Sequence, residues 1–277
     1  MEWVYLDNKI VSQSKGLIPG FDEGFLVGQG LFETMRCYEG KIFSLERHLR
    51  RLIKSCPVLG IEAPSRERLE KAVLSVIQRN HLTNASLRLH VSKKKEGSCV
   101  FVFARRLSLP SLAQYKKGFS VALYEDERIG SSILNSVKSL NHYFYSRLSH
   151  RARREGYDEA LFLNGRGEVV EGSRTNIFLV KDKKVATPHL SCGCLPGVTR
   201  AIGIELLKRL KIPVTERKVF PQELIRQDEL FMTNSLIEVM PVTRLEKQPV
   251  GTGRAGRVTG EIMAAYKKEV EKECFLR

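Results

Sequence analysis

The chain has 277 residues, 42% of them hydrophobic and 28% charged, which is ordinary for a globular protein able to bury two modest cores. Its net charge of +15 is carried by dispersed basic residues without any nucleic-acid motif, so we predict no nucleic-acid partner. No apolar run approaches 18 residues and the N-terminus lacks a secretory pattern, so we predict no membrane span and a cytoplasmic location.

The first part of the chain predicts a small α+β domain over residues 1–110. Asp7-Asn8 separates two short apolar runs, which is typical of a hairpin. A strand over 31–38 follows, and Ser44 is the expected N-cap of a helix over 45–55. A second helix is predicted over 65–80, and strands over 86–91 and 100–104. The polar stretch after Pro110 predicts a linker over 111–118.

The remaining residues, 119–277, predict a larger domain in which strands alternate with helices. The expected helices cover 141–155, 198–210, 221–226 and 258–273. The expected strands cover 119–123, 159–163, 168–171, 176–180, 214–218, 229–233 and 238–242.

Three features of this second part could together hold pyridoxal 5′-phosphate. Lys138 precedes an amphipathic helix and offers an amine for the cofactor's aldehyde. Glu171 lies on a predicted strand and could pair with the ring nitrogen. The Gly197-Val198-Thr199 turn opens a helix, whose first backbone amides can bind a phosphate.

The segment from Glu171 to Arg200 resembles the class IV, fold type IV pyridoxal-phosphate enzymes. The resemblance rests on Glu171, Ser173, Asn176-Ile177-Phe178, Gly197-Val198 and Arg200, and it extends to Phe32-Glu33-Thr34-Met35-Arg36 and His48-Leu49-Arg50-Arg51-Leu52. It implies a two-domain α+β fold, a cofactor in the cleft between the domains, and a homodimer.

The resemblance also implies roles for individual residues. Lys138 would be the Schiff-base lysine and the proton shuttle, and Glu171 the partner of the ring nitrogen. Arg51, Ser235 and the turn at Gly197, Val198 and Thr199 would bind the phosphate. Tyr143, five residues after the lysine, would bond the phenolic oxygen of the cofactor.

The substrate is less well specified than the cofactor. Arg88 and Arg174 could clamp a substrate carboxylate, or one of them could pair only with a structural acid. Thr34 and Leu236 complete the predicted substrate contacts. The Lys138-Ser139-Leu140-Asn141 run is similar to D-amino-acid aminotransferases, so a ping-pong exchange between a D-amino acid and a 2-oxo acid is the first hypothesis.

Two other activities stay open. An aminodeoxychorismate lyase, which yields 4-aminobenzoate and pyruvate, is the second hypothesis, because Phe32 to Arg36 and Thr233 to Pro241 resemble that subfamily equally well. A branched-chain L-amino-acid aminotransferase comes third, since Thr34 stands where those enzymes usually carry glycine.

Two sequence features that could suggest a dinucleotide site or a zinc site do not match those sites. Gly251-Thr252-Gly253-Arg254-Ala255-Gly256 spells a dinucleotide-binding string, but too little chain follows it for a βαβ unit, so we predict a loop before the last helix. The six cysteines do not have the spacing of a zinc site, and we predict reduced thiols and no metal.

Overall fold

A computed structural model describes residues 2–129 and 132–275. The chain divides into two compact units. Unit 1 comprises Met1–Ser108, Val137–Asn141 and Val270–Arg277, and unit 2 comprises Leu109–Ser136 and His142–Glu269. Lys138 therefore belongs to unit 1 by its contacts, although it follows the predicted linker in sequence.

Unit 1 is a six-stranded sheet covered by two helices. The strand order is β2-β1-β6-β5-β3-β4. The strands are β1 (Trp3–Leu6), β2 (Lys9–Ser12), β3 (Gly30–Tyr38), β4 (Lys41–Ile42), β5 (Ala85–Lys93) and β6 (Ser98–Arg106), and the helices are the short α1 (Glu23–Leu26), α2 (Leu45–Ser55) and α3 (Arg66–Arg79).

The core of unit 1 follows directly from the periodicities of its sequence. Alternate residues of β5, such as Leu87 and Leu89, are fully buried and join Leu69 and Val73 of α3 in one apolar cluster. The predicted hairpin is confirmed. Asp7 (φ 43°) and Asn8 (φ 70°) both adopt the left-handed conformation that a two-residue turn of this kind requires.

The expected cap of α2 differs from the observed one. The helix begins at Leu45 as predicted, but Ser44 is left-handed (φ 53°) and its side chain makes no capping hydrogen bond. Its backbone N–H instead donates to Glu273 Oε1 at 2.6 Å. By contrast, Ser65 caps α3 through its hydroxyl, which accepts from the Arg68 N–H at 3.2 Å.

Unit 2 contains a nine-stranded mixed sheet. The strand order is β12-β11-β10-β13-β14-β7-β8-β9, with β15 paired to β14. The strands are β7 (Phe119–Ile129), β8 (Glu159–Asn164), β9 (Val169–Gly172), β10 (Asn176–Lys181), β11 (Lys184–Pro188), β12 (Val214–Arg217), β13 (Glu229–Asn234), β14 (Glu238–Leu245) and β15 (Gln248–Pro249). The helices are α4 (Leu112–Lys117), α5 (Tyr143–Arg154), α6 (Val198–Arg209), α7 (Pro221–Leu224) and α8 (Arg257–Cys274), the last of which continues into unit 1.

The stretch predicted as a linker contains helix α4. A reciprocal capping box starts it, because Ser111 Oγ accepts from the Gln114 N–H while Gln114 Oε1 accepts from the Ser111 N–H. Tyr115 then donates its hydroxyl hydrogen to the Ile237 carbonyl at 3.0 Å. The Ser-x-x-Gln pattern, which the prediction did not use, accounts for this helix.

The glycine-rich string near the C-terminus serves packing. Glu229 Oε1 accepts from the Val258 N–H at 3.0 Å, and Oε2 accepts from the Thr259 N–H at 2.7 Å, so a carboxylate already occupies the N-terminus of α8. A Cβ at Gly256 would lie well inside 3.0 Å of the Glu229 side chain. The predicted loop before the last helix is confirmed, and its last glycine makes room for this carboxylate.

The described residues provide neither a membrane span nor a metal cluster. None of the helices they form is at once long and apolar enough to cross a bilayer. Nor do these same residues bring three or more His, Cys, Asp or Glu side chains together as a metal site.

All six cysteines lie within the described residues, and each is a buried free thiol. Burial raises the pKa of Cys37, Cys56, Cys99 and Cys274 to about 11, and that of Cys194 to about 12. A thiol with a pKa near 11 is only about one part in a thousand thiolate at pH 8, and the thiolate is the reactive form.

We therefore expect the native protein to react slowly with an aromatic disulfide reagent at pH 8. All six thiols should react at once after unfolding in guanidinium chloride. The absorbance of the released thiolate measures both rates. Rapid reaction of two or more thiols in the folded protein would contradict the buried placement.

Candidate active site

Lys138 is held against strand β3 in unit 1. The Phe32 N–H donates to the Lys138 carbonyl at 2.8 Å, and the Leu140 N–H donates to the Gly30 carbonyl at 2.9 Å. The side chain is half-buried, and its Nζ lies 4.5 Å from the centroid of the Phe32 ring. The backbone on both sides of the lysine is thus fixed, and its amine rests on an aromatic face.

Arg88 lies on the same aromatic ring. Its Cζ is 4.0 Å from the Phe32 centroid, and its Nε donates to His90 Nε2 at 3.4 Å. Burial, and secondly the Arg88 charge, lower the pKa of His90 to about 4, so this imidazole is neutral at pH 7 and can accept the bond. Thr34 faces Arg88 across the β3–β5 pair. Two predicted substrate residues therefore lie beside the ring that contacts Lys138.

Arg51 belongs to a buried polar cluster that sequence reasoning did not assemble. Its Nε donates to Glu33 Oε1 at 2.7 Å and its second nitrogen donates to Oε2 at 2.6 Å. His48 Nδ1 lies 2.8 Å from the same Oε2. Residues 48 and 51 are three apart on α2, so both side chains reach one carboxylate on β3.

The charges in this cluster fix its protonation state. Burial alone would raise the pKa of Glu33, but the charge of Arg51 and the proximity of His48 hold it at about 2. The carboxylate is therefore ionised and accepts only, so His48 Nδ1 carries the hydrogen. Burial lowers the pKa of His48, although Glu33 opposes that shift. The result is a fixed orientation for the Arg51 guanidinium.

Glu171 is the corresponding fixed acid of unit 2. It lies on β9 and is 7% exposed. Its Oε2 accepts from Asn176 Nδ2 at 2.9 Å and from the Leu195 N–H at 3.1 Å. The Asn176 amide also donates to the Leu195 carbonyl at 3.0 Å. One amide side chain thus ties the carboxylate to the turn that precedes α6.

The turn before α6 is shaped by close packing. Gly197 is the N-cap of α6, and a Cβ there would lie well inside 3.0 Å of Asn176 Oδ1. Val198 and Thr199 form the first turn and are 7% and 3% exposed. A glycine cap followed by two buried helical residues leaves backbone amides at the positive end of a twelve-residue helix, which is a geometry suited to a phosphate.

The turn at Ser235 and Leu236 follows strand β13. Asn234 Oδ1 accepts from the N–H groups of Leu236 and Ile237, both at 2.9 Å. Strand β13 pairs with β10, with Thr233 opposite Asn176. Ser235 therefore begins a turn that is rigidly capped and lies at the end of the strand beside Asn176.

Two predicted residues are exposed in the structure. The Tyr143 ring is 79% exposed at the start of α5, and Arg174 is exposed in the turn after β9. Partial desolvation of the Arg174 guanidinium lowers its pKa, and the nearby charge of Arg153 acts in the same direction. Arg88 belongs to unit 1 and Arg174 to unit 2, so the predicted joint clamp stays a prediction.

Tyr145 is the tyrosine of α5 that packs beside the Glu171 strand. Its ring contacts Phe162, at a centroid distance of 5.5 Å, and Phe162 faces Glu171 across the β8–β9 pair. Burial and the Glu171 charge raise the pKa of Tyr145. The sequence predicted Tyr143 as a cofactor contact from its distance to the lysine, and the structure adds Tyr145 as a second tyrosine of α5, near the Glu171 strand.

Comparison with known proteins places this chain in a family. The family model described as amino-transferase class IV matches residues 30–245. The chain belongs to the class IV aminotransferases. It is similar to a protein of Methanocaldococcus jannaschii provisionally named branched-chain-amino-acid aminotransferase, with 32% identity over 95% of this chain and 95% of that protein. It is also 30% identical to the aminodeoxychorismate lyase of Bacillus subtilis, over 97% of this chain and 94% of the lyase.

A solved structure agrees with the fold. The T.th. branched-chain amino acid aminotransferase, determined with pyridoxamine 5′-phosphate, superimposes with a TM-score of 0.89 at 26% identity, covering 98% of this chain and 93% of that chain. The predicted α+β architecture of the fold type IV enzymes is therefore confirmed.

Removing the buried Glu33 carboxylate should destabilise the protein strongly, because it leaves its buried partners without an anion. In the Glu33→Gln variant, Arg51 and His48 lose their anionic partner, so we expect a loss of about 3–5 kcal/mol in the free energy of unfolding, measured with urea. Glu46→Gln, which removes ion pairs with the exposed Arg50 and Arg66 side chains, should cost at most about 1 kcal/mol. Equal losses would contradict the assignment.

The ion pair between Glu33 and Arg51 also predicts a pH dependence of the free energy of unfolding. The folded pKa of Glu33 lies below its ordinary value of 4.5, so the pair stabilises fully above about pH 4.5 and loses this contribution as the pH falls towards 2. The Glu33→Gln variant should lack this part of the acid dependence.

Proposed function

We propose that the chain is a pyridoxal 5′-phosphate-dependent aminotransferase that exchanges an amino group between an amino acid and a 2-oxo acid. The observation that carries the proposal is the buried Glu171 carboxylate, oriented by Asn176 and by the backbone of the turn before α6. A carboxylate fixed in this way suits a protonated ring nitrogen. When bound, the cofactor supplies an aldehyde for the amino group and a ring that accepts electrons.

The chain's own residues fit this cofactor. Lys138 offers an amine on a fixed backbone, and it would hold and return the proton at the substrate α-carbon. The first amides of α6, at Val198 and Thr199, would bind the phosphate, together with Arg51 and Ser235. Arg51 is suited to this role because Glu33 binds two nitrogens of its guanidinium and so fixes its orientation. Tyr143 would bond the phenolic oxygen.

The substrate carboxylate would be bound by Arg88 and Arg174, with Thr34 and Leu236 as further contacts. D-amino acids are the first substrate class, on the strength of the Lys138-to-Asn141 run. The lyase reaction is the second candidate, because a relative named for that reaction is 30% identical over nearly the whole chain. Branched-chain L-amino acids complete the set to be tested.

A homodimer is part of the proposal. Residues 17–27 of unit 1 expose an apolar cluster comprising Leu17, Ile18, Phe21, Phe25, Leu26 and Val27, of which Phe21 is 91% exposed. Exposed apolar side chains concentrated in one segment in this way are typical of an association site. A second copy of the chain is the partner we propose for it.

The reaction is tested by absorbance after separate addition of D-alanine, L-leucine and aminodeoxychorismate to the cofactor-loaded protein. A transaminase converts the aldehyde form to the amine form with one amino acid, and a 2-oxo acid restores it. A lyase instead releases 4-aminobenzoate and pyruvate and leaves the aldehyde form unchanged. The proposed transamination fails if none of the amino acids changes the spectrum.

The lysine is tested by borohydride reduction of the loaded protein followed by peptide mapping. We expect the phosphopyridoxyl group on Lys138, and we expect Lys138→Ala to lose turnover. A label on another lysine, or wild-type turnover in the variant, would contradict the assignment.

Replacing Glu171 by Gln should affect chemistry more than cofactor binding. The neutral amide no longer holds the ring nitrogen protonated, so proton removal at the α-carbon slows. The lost charge-assisted bond weakens binding by about 1.5–3 kcal/mol, which excess cofactor overcomes. Stopped-flow half-reactions at saturating cofactor measure the difference. Glu261→Gln, which removes a partly exposed carboxylate of α8 that pairs with Arg257, serves as the control. Full recovery of the rate in Glu171→Gln would contradict the role.

A further inference from the structure

The segment that carries Lys138 is attached to β3 by very little backbone structure. Leu31 and Ser139 form a single antiparallel bridge, flanked by the two backbone hydrogen bonds at Lys138 and Leu140. A slip of one residue along β3 would turn the Lys138 side chain to the opposite face. Two backbone bonds alone specify this register weakly, so other contacts must fix it.

Leu140 supplies the first of these contacts. A Cβ at Gly30 would lie well inside 3.0 Å of Leu140 Cδ1, and a Cβ at Gly24 would lie 3.1 Å from the same atom. The leucine therefore occupies space that two glycines leave open. Gly24 itself is held in place, because Asp22 Oδ1 caps its helical turn at the Phe25 N–H and Asp22 Oδ2 accepts from Ser92 Oγ at 2.6 Å.

Asn141 supplies the second contact. Its Nδ2 donates to the Gly28 carbonyl at 2.9 Å and lies 3.1 Å from Ser139 Oγ. Gly28 has φ +69°, and a Cβ there would lie 2.6 Å from Asn141 Oδ1. The amide therefore fits only against a residue that lacks a side chain and adopts the left-handed conformation.

The burial pattern shows what this register achieves. Val137 and Ser139 are each 6% exposed, while Lys138 and Leu140 are half-buried. Burial therefore alternates along residues 137–140 on either side of the bridge residue Ser139. Packing of Leu140 against Gly30 therefore determines the side from which the Lys138 amine contacts the Phe32 ring.

We propose that Leu140 and Asn141 are positioning residues for Lys138, which lock its register on β3 by binding to the glycine surface formed by Gly24, Gly28 and Gly30. The proposal rests on the proposed function of Lys138 as the residue that bonds the cofactor. A lysine out of register would still leave a phosphate site formed by other residues, so covalent capture should suffer while non-covalent binding persists.

The test separates these two quantities in Leu140→Ala and Asn141→Ala. The first measurement is the rate at which pyridoxal 5′-phosphate is fixed on Lys138 by borohydride, followed by peptide mass spectrometry. The second is the affinity for pyridoxamine 5′-phosphate, which needs no bond to a lysine. We expect at least about 10-fold slower labelling in each variant and an affinity within about 3-fold of the wild type.

Matched controls come from the same unit. Leu82→Ala truncates a half-buried leucine that packs on the unit 1 core, and Asn84→Ala removes an exposed side-chain bond to Glu39. Both should label at the wild-type rate, even where Leu82→Ala lowers the melting temperature. Labelling that falls equally in the controls and in the two test variants would overturn the proposal, as would wild-type labelling in both test variants.

A double-mutant cycle tests the contact itself. Gly30→Ala places a methyl against Leu140 and 3.1 Å from the Val91 carbonyl; the carbonyl contact is present on both backgrounds and cancels in the cycle. We expect Gly30→Ala to slow labelling much more in the wild type than in Leu140→Ala. Additive losses would overturn the role of this contact. Absence of any Lys138 label in the wild type would instead overturn the proposed function.

Discussion

The carboxylate of Glu171 is held by two hydrogen bonds, one from the Asn176 side-chain amide and one from the Leu195 backbone N–H. Gly197 leaves the space that the Asn176 side chain needs. This arrangement joins the end of β9, the start of the next strand in the chain, β10, and the start of α6, all within unit 2. An acid that must stay ionised while buried requires donors fixed by the fold. The same contacts that orient the acid also place the first amides of α6, so both ends of the proposed cofactor depend on Asn176.

Unit 1 meets a similar requirement with different means. Its buried acid, Glu33, is compensated by Arg51 and His48, and its lysine is held by backbone bonds and by glycine contacts. Buried ion pairs cost desolvation and seldom add net stability, so a cluster of this kind is better explained by orientation than by stability. Glu33 fixes the orientation of the Arg51 guanidinium. As a consequence, removing this acid would leave Arg51 without its anionic partner and would lower the free energy of unfolding strongly.

Periodicity and motif spacing were sufficient for much of this picture. The helices α2 and α3 and the hairpin at Asp7-Asn8 follow from local patterns, and the positions of Glu171 and Gly197 follow from their spacing. Local patterns did not predict the conformation of Ser44, because its N–H is bonded by Glu273, more than two hundred residues away. The Glu33 cluster could not be predicted from one segment, because it pairs a residue of strand β3 with two residues three apart on α2. The position of Tyr145 near the Glu171 strand depends on the direction of α5. Packing of Leu140 on glycines is a tertiary feature with no signature in a single sequence.

We propose that the fixed Glu171 carboxylate keeps the cofactor ring nitrogen protonated. The most direct measurement is the ¹⁵N chemical shift of pyridoxal 5′-phosphate labelled at that nitrogen and bound to the protein, recorded from neutral to mildly alkaline pH. We expect the shift of a protonated pyridinium throughout this range. The shift of a neutral pyridine at neutral pH would contradict it.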